Sequence, residues 1–177
     1  MTGHAWTADW ARFCPRCGGA DWHSDDGRRH ACAACGFVYF HNLAAGVSAV
    51  IRCGEDIALI VRGRDPGRGL LDLPGGFVDP EESLETAIVR EIREEIGLTL
   101  AAPRYLFSIP NLYRYRDVNY WTLDAMFEFT VPARVDTILN DEVLGLFWRR
   151  PGEVDPAEIA FVSVREAMRR LAREAAA

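Results

Sequence analysis

Three glutamates lie close together in a segment with the pattern of an amphipathic helix. The apolar residues of this segment recur every four positions, at Leu84, Ile88, Ile92 and Ile96. The acids are Glu91, Glu94 and Glu95. At about 100° per residue they fall at about −60°, −120° and −20° from Ile88. They therefore border the apolar stripe instead of opposing it.

Carboxylates crowded beside a buried helix face repel one another and lose hydration. A hard dication such as Mg²⁺ or Mn²⁺ offsets this cost, and spacings of i, i+3 and i+4 let three carboxylates converge on one or two ions. The alternative is a solvated acidic face, which is the usual role of a run of charges. Because these acids lie beside the apolar stripe, we favour the metal site.

A glycine pair precedes the acidic helix, in the segment Leu73-Pro74-Gly75-Gly76-Phe77. Adjacent glycines let the backbone approach a ligand closely, and an unshielded carbonyl there can add a metal ligand. The alternative is an ordinary turn. Beside the acidic helix, we favour the site.

The ends of the helix are predicted from its capping residues. Asp79 suits the N-cap, Pro80 the first helical position and Glu82 the third. Gly97 suits a left-handed end. We therefore expect a helix from Asp79 to Gly97.

Two CxxC pairs, each followed by glycine, lie near the N-terminus, at Cys14, Cys17, Cys32 and Cys35. Thiolates spaced in this way can reach one tetrahedral zinc ion. A closed site with four thiolates has no open position, so we expect a structural zinc. Two disulfides are the alternative, which a chain without an export signal disfavours. The four histidines are interpreted as bystanders and Cys53 as a core residue.

The composition limits the classes of function. The chain has 177 residues, 49% of them hydrophobic, and a net charge of −6. The negative net charge argues against broad electrostatic binding to nucleic acid, which needs a basic face, so we expect no nucleic-acid partner. No apolar run is long enough to span a membrane. All 20 basic residues are arginine, which excludes lysine chemistry. Residues 1–9 have no basic stretch before an apolar core, so we expect a cytoplasmic protein.

The remaining pattern predicts a zinc ribbon over residues 1–41 and an α/β domain over residues 42–177. Strands are expected at 44–51, 57–61, 105–109, 121–131 and 143–148, the first two as a hairpin. Residues 62–69 are expected to form a loop, and residues 70–78 a short apolar segment interrupted by the glycine pair. A closing helix is expected at 163–174, with Ser163 and Glu166 spaced as a capping box.

The glutamate segment resembles the Nudix box, G-x5-E-x7-R-E-U-x-E-E-x-G-U, and every specified position from Gly76 to Leu98 matches. The resemblance covers residues 42–150. It implies the Nudix fold, a mixed sheet between helices, and hydrolysis of a nucleoside diphosphate linked to another moiety. By position it implies that Glu91, Glu94 and Glu95 bind the metal together with the Gly75 carbonyl.

The same resemblance assigns roles to three further residues. Arg90 would orient a neighbouring glutamate, and Glu82 would either support the metal ligands from behind or be an outer metal ligand itself. Glu142 matches a downstream acid that binds metal or acts as a base, with a surface turn as its alternative. The metal would bridge the diphosphate and activate a water, and Glu95 or Glu142 would take the proton.

A zinc ribbon before a Nudix domain is similar to the NADH pyrophosphatase subfamily, which carries a downstream S-Q-P-W-P-F-P-x-S signature. Ser108 and Pro110 fit it, but Ile109 and Asn111 replace its Gln and Trp. Phe40 corresponds to a substrate-contacting aromatic of that subfamily. The aromatic residues expected to contact substrate from a loop near the site are Tyr113, Tyr115 and Tyr120, and the candidate phosphate contacts are Arg62 and Arg64.

Three functions remain open from the sequence. The favoured one is a Mg²⁺-dependent pyrophosphohydrolase that acts on a nucleotide derivative and releases a nucleoside monophosphate. The second is an NAD(H) pyrophosphatase proper. The third is a nucleotide-sensing regulatory protein with a zinc ribbon; loss of a box acid would favour it, and none is lost. A homodimer through the ribbon or the sheet is compatible with the sequence, which does not show it.

Overall fold

The computed structural model describes residues 12–116, 118–135 and 138–175. The first eleven residues of the predicted ribbon, including the stretch that suggested a cytoplasmic protein, lie outside the described residues. Within the described part of the chain, no helix is both long and apolar enough to cross a membrane.

A small three-stranded sheet comes first, with strands β1 (Trp22–Ser24), β2 (Arg29–Cys32) and β3 (Val38–Phe40) in that spatial order. Its core is small. Cys14 and Cys32 are buried together with Trp22, whose ring stacks on His30 at 5.4 Å between centroids. A unit with so few buried side chains needs a further stabilising element such as a metal.

The second sheet has seven strands, in the order β10-β5-β4-β9-β8, with β6 paired to β5 and β7 paired to β4. The strands are β4 (Ala44–Cys53), β5 (Asp56–Arg62), β6 (Leu71–Asp72), β7 (Gly75–Phe77), β8 (Arg104–Tyr115), β9 (Val118–Thr130) and β10 (Val143–Arg149). The β4–β9 pair is parallel and the other pairs are antiparallel, so the sheet is mixed. The predicted β4–β5 hairpin is confirmed.

One helix covers each face of the seven-stranded sheet, as the alternation of the strand residues requires. Ala49 and Ile51 of β4 pack with Ile88 and Ile92 of α1 (Leu84–Ile96). Val50, between them, faces the opposite layer with α2 (Val162–Ala175). Two 3₁₀ turns, Pro151–Glu153 and Pro156–Glu158, lead into α2. The expected sheet between two helices is confirmed.

Helix α1 begins later than predicted. Its N-cap is Ser83, whose hydroxyl accepts a hydrogen bond from the Thr86 N–H, so the expected start at Asp79 is wrong. Glu81 has a positive φ of 72°, which interrupts any helix through this turn. The predicted end is confirmed, since Gly97 adopts the left-handed conformation with φ of 71°.

The predicted capping box of α2 is also wrong. The helix begins at Val162, and Ser163 is fully buried with its hydroxyl donating to Asp124 at 2.6 Å. Glu166 pairs with Arg169 and Arg170 instead of with the helix start. Ser163 therefore connects α2 to the sheet.

Strand β8 continues six residues beyond its predicted end, through Tyr115. The segment expected to be an aromatic loop is therefore strand, paired with β9 up to Tyr115 and Val118. Pro110 is compatible with this because β8 is an edge strand. Ile109 and Asn111 are buried on one face of the strand, and Pro110 and Leu112 are exposed on the other.

Candidate active site and metal centres

Arg90 organises the acidic part of α1. Its guanidinium donates two hydrogen bonds of 2.8 Å to the carboxylate of Glu82, one of 2.8 Å to Glu91 and one of 3.2 Å to Glu94. A further bond of 3.0 Å reaches the carbonyl of Phe77. These bonds lower the pKa of Glu82. Arg90 therefore joins the turn before the helix to two successive turns of the helix.

Glu91 and Glu95 lie against the glycine pair of β7. Glu95 accepts a hydrogen bond of 2.8 Å from the backbone N–H of Gly75. A Cβ atom on Gly76 would lie 2.5 Å from the nearer carboxylate oxygen of Glu91, and one on Gly75 would lie 2.1 Å from the carbonyl of Val47. Both positions therefore require glycine, the first for the carboxylate and the second for the sheet.

Burial makes the proton affinity of these acids unusually high. The pKa of Glu95 is raised to about 8, mainly by burial and also by nearby Asp72 and Glu91, against the lowering effect of the Gly75 hydrogen bond. Burial also raises the pKa of Glu91, which Arg90 opposes. Carboxylates are hard oxygen donors, and they suit Mg²⁺ or Mn²⁺ better than a soft metal.

Glu94 is placed differently from its two neighbours. Half of its side chain is exposed, and it contacts Arg90. Within the described residues, the four cysteines are the one group of three or more potential metal ligands whose atoms all lie within 4.8 Å of one another. The three glutamates of the predicted cluster thus do not converge to that distance in this structure.

An open cleft of about 1220 Å³ lies beside Glu91 and Glu95. Of the residues predicted to form the site, those lining the cleft are Gly75, Glu91, Glu95, Glu142, Arg62, Arg64, Tyr113, Tyr115 and Tyr120. Among the described residues, Phe40, Glu82, Arg90 and Glu94 are not part of this lining. Phe40 lies on β3 of the small sheet, with half of its surface exposed.

Arg62 is occupied by protein groups inside the cleft. It donates hydrogen bonds of 2.8 Å to Asp72 and to the carbonyl of Pro66 and lies 4.7 Å from the ring centre of Phe161. Burial raises the pKa of Asp72 to about 6, against the nearby charge of Arg62. Arg62 therefore neutralises the buried acid Asp72 in this structure. Its predicted contact with a substrate phosphate stays a prediction.

Arg64 and Glu142 form an ion pair at the mouth of the cleft. The backbone N–H of Glu142 is held by Asn140 at 2.9 Å, and its carbonyl accepts from the Gly63 N–H at 2.6 Å. The 140–142 turn is thus fixed to the loop after β5. Both side chains are partly exposed, and each can exchange its partner for a ligand at small cost.

The structure adds a polar group to the cleft that the sequence did not reveal, formed by Asn111, Thr122 and Asp124, with Ser163 bonded to it from α2. Asn111 and Thr122 face each other across β8 and β9. The sequence feature that could have indicated this polar group is Asp124, a charged residue in the middle of an apolar strand. Its partner Ser163 is 39 residues away, so their contact could not be read from spacing.

The four cysteine sulfurs form a closed cluster. The pairs Cys14–Cys35 and Cys17–Cys32 are each 3.7 Å apart between sulfurs, and all four residues are free thiols. A tetrahedral ion with bonds of about 2.3 Å separates its sulfurs by about 3.8 Å, whereas a disulfide needs about 2.05 Å. The cluster fits a zinc ribbon and contradicts the alternative of two disulfides.

Comparison with known proteins agrees with this architecture. The NAD-capped RNA hydrolase NudC of Pseudomonas aeruginosa is 32% identical over 172 residues, which cover 83% of this chain and 60% of the relative. The ADP-ribose pyrophosphatase of Methanocaldococcus jannaschii is 46% identical over 61 residues, which cover 34% of this chain and 36% of the relative. A NUDIX hydrolase from Nitrosomonas europaea superposes with a TM-score of 0.71 at 22% identity, over 92% of this chain and 91% of that chain.

The similarity to the curated relatives is partial in length. The chain spans 35% of the NudC of Stutzerimonas stutzeri and 60% of the NudC of Pseudomonas aeruginosa. The family model described as the NUDIX domain matches residues 41–177, which include the glutamate helix, the glycine turn and the whole seven-stranded sheet. The chain therefore belongs to the NUDIX family.

Proposed function

We propose that this protein is a divalent-metal-dependent pyrophosphohydrolase that cleaves the diphosphate of a nucleotide derivative and releases a nucleoside monophosphate. The observation that carries the proposal is a pair of acids, the buried Glu95 and the partly buried Glu91, held against the Gly75-Gly76 turn in the wall of a large cleft. Buried acids with raised pKa in a cleft are typical of functional sites, because burial without a cation is unfavourable.

Glu91, Glu95 and the Gly75 carbonyl would hold Mg²⁺ or Mn²⁺, and Glu94 would join them after release from Arg90. When bound, such an ion offsets diphosphate charge and lowers the pKa of a coordinated water. Arg90 positions Glu91 and, through Glu82, the preceding turn. This assignment follows the chemistry of the donor set, which consists of hard oxygens.

The proton of the attacking water needs an acceptor in the same cleft. Glu95 and Glu142 both line it. Glu95 is fixed by the Gly75 N–H, whereas Glu142 is paired with Arg64 near the solvent. Glu142 can act as a base only if Arg64 turns to another anion, and the substrate diphosphate is such an anion. We propose that the Arg64–Glu142 pair opens when substrate binds.

We propose that this chain acts on a narrower class of substrates than the nucleoside diphosphate derivatives hydrolysed by the NUDIX family as a whole. The relatives are named for NAD-capped RNA and for ADP-ribose, both of which contain an adenosine diphosphate linkage. We propose an adenosine diphosphate derivative as the substrate of this chain, with NAD(H) as one member of the class. The acidic composition argued against nucleic acid as a partner. Because the NudC relatives are named for NAD-capped RNA, capped RNA is nevertheless among the compounds to be tested.

We further propose that the four cysteines bind one structural Zn²⁺ and that residues 1–41 form a ribbon separate from the domain of residues 42–177. The sulfur spacing and the small core of the ribbon support this division. Because the site is closed by four thiolates, the zinc would stabilise the ribbon and take no part in hydrolysis.

The test is hydrolysis of ADP-ribose, NADH, NAD-capped RNA, dinucleoside polyphosphates and nucleotide sugars, each with Mg²⁺ or Mn²⁺. The matched variants are Glu95→Gln in the cleft and Glu85→Gln on the exposed face of the same helix. We expect turnover of an adenosine diphosphate derivative by the wild type and Glu85→Gln, and none by Glu95→Gln. Tight nucleotide binding without turnover of any compound would favour the nucleotide-sensing alternative.

A further inference from the structure

Asn111 is a buried polar side chain in the wall of the cleft whose side-chain oxygen lacks a hydrogen-bond donor among the described residues. Only 4% of its surface is exposed. It lies on the same face of β8 as buried Ile109 and as Tyr113, and it lines the cleft. A buried acceptor that lacks a donor is unfavourable, and in the wall of a cleft a bound ligand can supply that donor.

The neighbours of Asn111 have no hydroxyl hydrogen left to give it. Thr122, opposite it on β9, donates its hydroxyl to one oxygen of Asp124 at 2.7 Å. Ser163 donates its hydroxyl to the other oxygen of Asp124 at 2.6 Å. Asp124 is thus held by two donors within the protein, and neither hydroxyl is donated to the oxygen of Asn111.

The surroundings of Asn111 suit an uncharged ring better than a phosphate. Asp124 is on the next strand, and an anion placed beside it would be repelled. Tyr113, two residues along the same face, has its ring 5.5 Å from Phe161 and 5.5 Å from Phe77 between centroids. The cleft therefore places a polar carboxamide on the same strand face as an aromatic wall.

We propose that Asn111 recognises the base of the bound nucleotide, and that this base is an adenine. A carboxamide presents an acceptor and a donor side by side, which complements the exocyclic N–H and an adjacent ring nitrogen of adenine. The adenine ring would lie against the aromatic wall at Tyr113. The inference rests on the proposed function, because it assumes that the nucleotide binds in this cleft.

The experiment measures binding of two nucleotides that differ in one group. The probes are adenosine 5′-monophosphate and the matched purine riboside 5′-monophosphate, which lacks the exocyclic amine, and calorimetry gives both dissociation constants. Neither probe contains a diphosphate, so no turnover is involved. The variants are Asn111→Leu, which keeps a similar volume without hydrogen bonds, and Asn119→Leu, the same change on β9 outside the cleft lining.

Wild type and Asn119→Leu are expected to bind adenosine monophosphate about tenfold more tightly than the purine nucleotide, and Asn111→Leu to bind both with similar affinity. A wild type that does not discriminate, or an Asn111→Leu variant that still does, would overturn the inference. Failure here with hydrolysis of ADP-ribose intact would leave the proposed function standing. Discrimination between the two nucleotides without hydrolysis of any substrate would support the role of Asn111 and contradict the proposed hydrolase function.

A second readout distinguishes recognition from a structural role. Because its oxygen is unpaired without ligand, replacing Asn111 by leucine should leave the melting temperature of the nucleotide-free protein unchanged or higher. A loss of several degrees would show that Asn111 is paired inside the free protein, and would contradict the inference.

Discussion

The carboxylate of Glu95, near the end of α1, accepts a 2.8 Å hydrogen bond from the backbone N–H of Gly75, at the start of β7. This bond crosses from the helix to the sheet at the point where β7 pairs with β4. It fixes a buried acid against a turn whose φ and tight contacts both require glycine. The proposed metal site depends on this hydrogen bond and on the close approach of Glu91 to Gly76.

A methyl group at Gly76 is predicted to damage the site more than the fold. In Gly76→Ala the new Cβ would lie 2.5 Å from Glu91, so the carboxylate must move, whereas the φ of Gly76 is not in the left-handed region. We expect a loss of about tenfold or more in kcat/KM and a melting temperature within a few degrees of wild type, by steady-state kinetics and thermal denaturation. Gly152→Ala, where the nearest atom is 3.7 Å from the new Cβ, is the control. Equal kinetics for both variants would argue against the placement of Glu91.

The paired hydrogen bonds of the Arg90 guanidinium are predicted to stabilise the fold more than its positive charge alone does. Arg90→Lys keeps the positive charge but loses the paired bonds to Glu82, which has 16% of its side chain exposed. We expect a loss of about 1–3 kcal/mol in the free energy of unfolding, measured with urea. The double variant with Glu82→Gln should lose less than the sum of the single changes, because both break the same contact. Strict additivity would contradict the contact.

The metal-free protein is predicted to become less stable as the pH rises towards 8. Burial raises the pKa of Glu95 to about 8 from its ordinary 4.5. Relative to the unfolded chain, the folded form then favours the protonated acid, so its contribution to stability is full below pH 4.5 and is lost as the pH rises to about 8. Thermal denaturation from pH 5 to 8.5 in a chelator should show a smaller decline in Glu95→Gln than in the wild type.

Magnesium is expected to stabilise the protein more strongly as the pH rises over the same range. The ion requires the carboxylate form of Glu95, so the increase in melting temperature that Mg²⁺ produces should grow between pH 6 and 8.5. Glu85→Gln, on the exposed face of α1, should behave like the wild type. A stabilisation by Mg²⁺ that does not change with pH, or that survives in Glu95→Gln, would count against Glu95 as a ligand.

The cysteine cluster predicts one zinc per chain. Cys17→Ser removes one of four thiolates, and elemental analysis should find the zinc lost, with the loss of structure confined to the small sheet. Cys53→Ala, at a cysteine packed against the core of the large sheet, should keep its zinc. A wild-type protein with much less than one zinc after gentle purification would contradict the ribbon.

Features set by neighbouring residues were predictable from the sequence. Gly97 ends α1 as expected, because the left-handed conformation is a local property of glycine. The layered core was also predictable, since the apolar period of α1 and the alternation in β4 are each contained in one element.

Features set by distant contacts were not predictable. The turn at Glu81 makes α1 begin later than predicted. The next residue, Glu82, is bound by Arg90, which lies eight residues further along the chain. The extension of β8 past Pro110 depends on its place at the sheet edge. The polar group at Asn111 depends on the pairing of β8 with β9 and on a bond from Asp124 to α2. Each of these requires the assembled sheet.

The most direct measurement is anomalous diffraction from crystals soaked in Mn²⁺. We predict a manganese peak bounded by the carboxylates of Glu91 and Glu95 and the carbonyl of Gly75, absent in Glu95→Gln crystals treated in the same way. The absence of anomalous density at these groups under saturating Mn²⁺, whether or not the crystals bind the ion elsewhere, would contradict the assignment of Glu91 and Glu95 as a metal site.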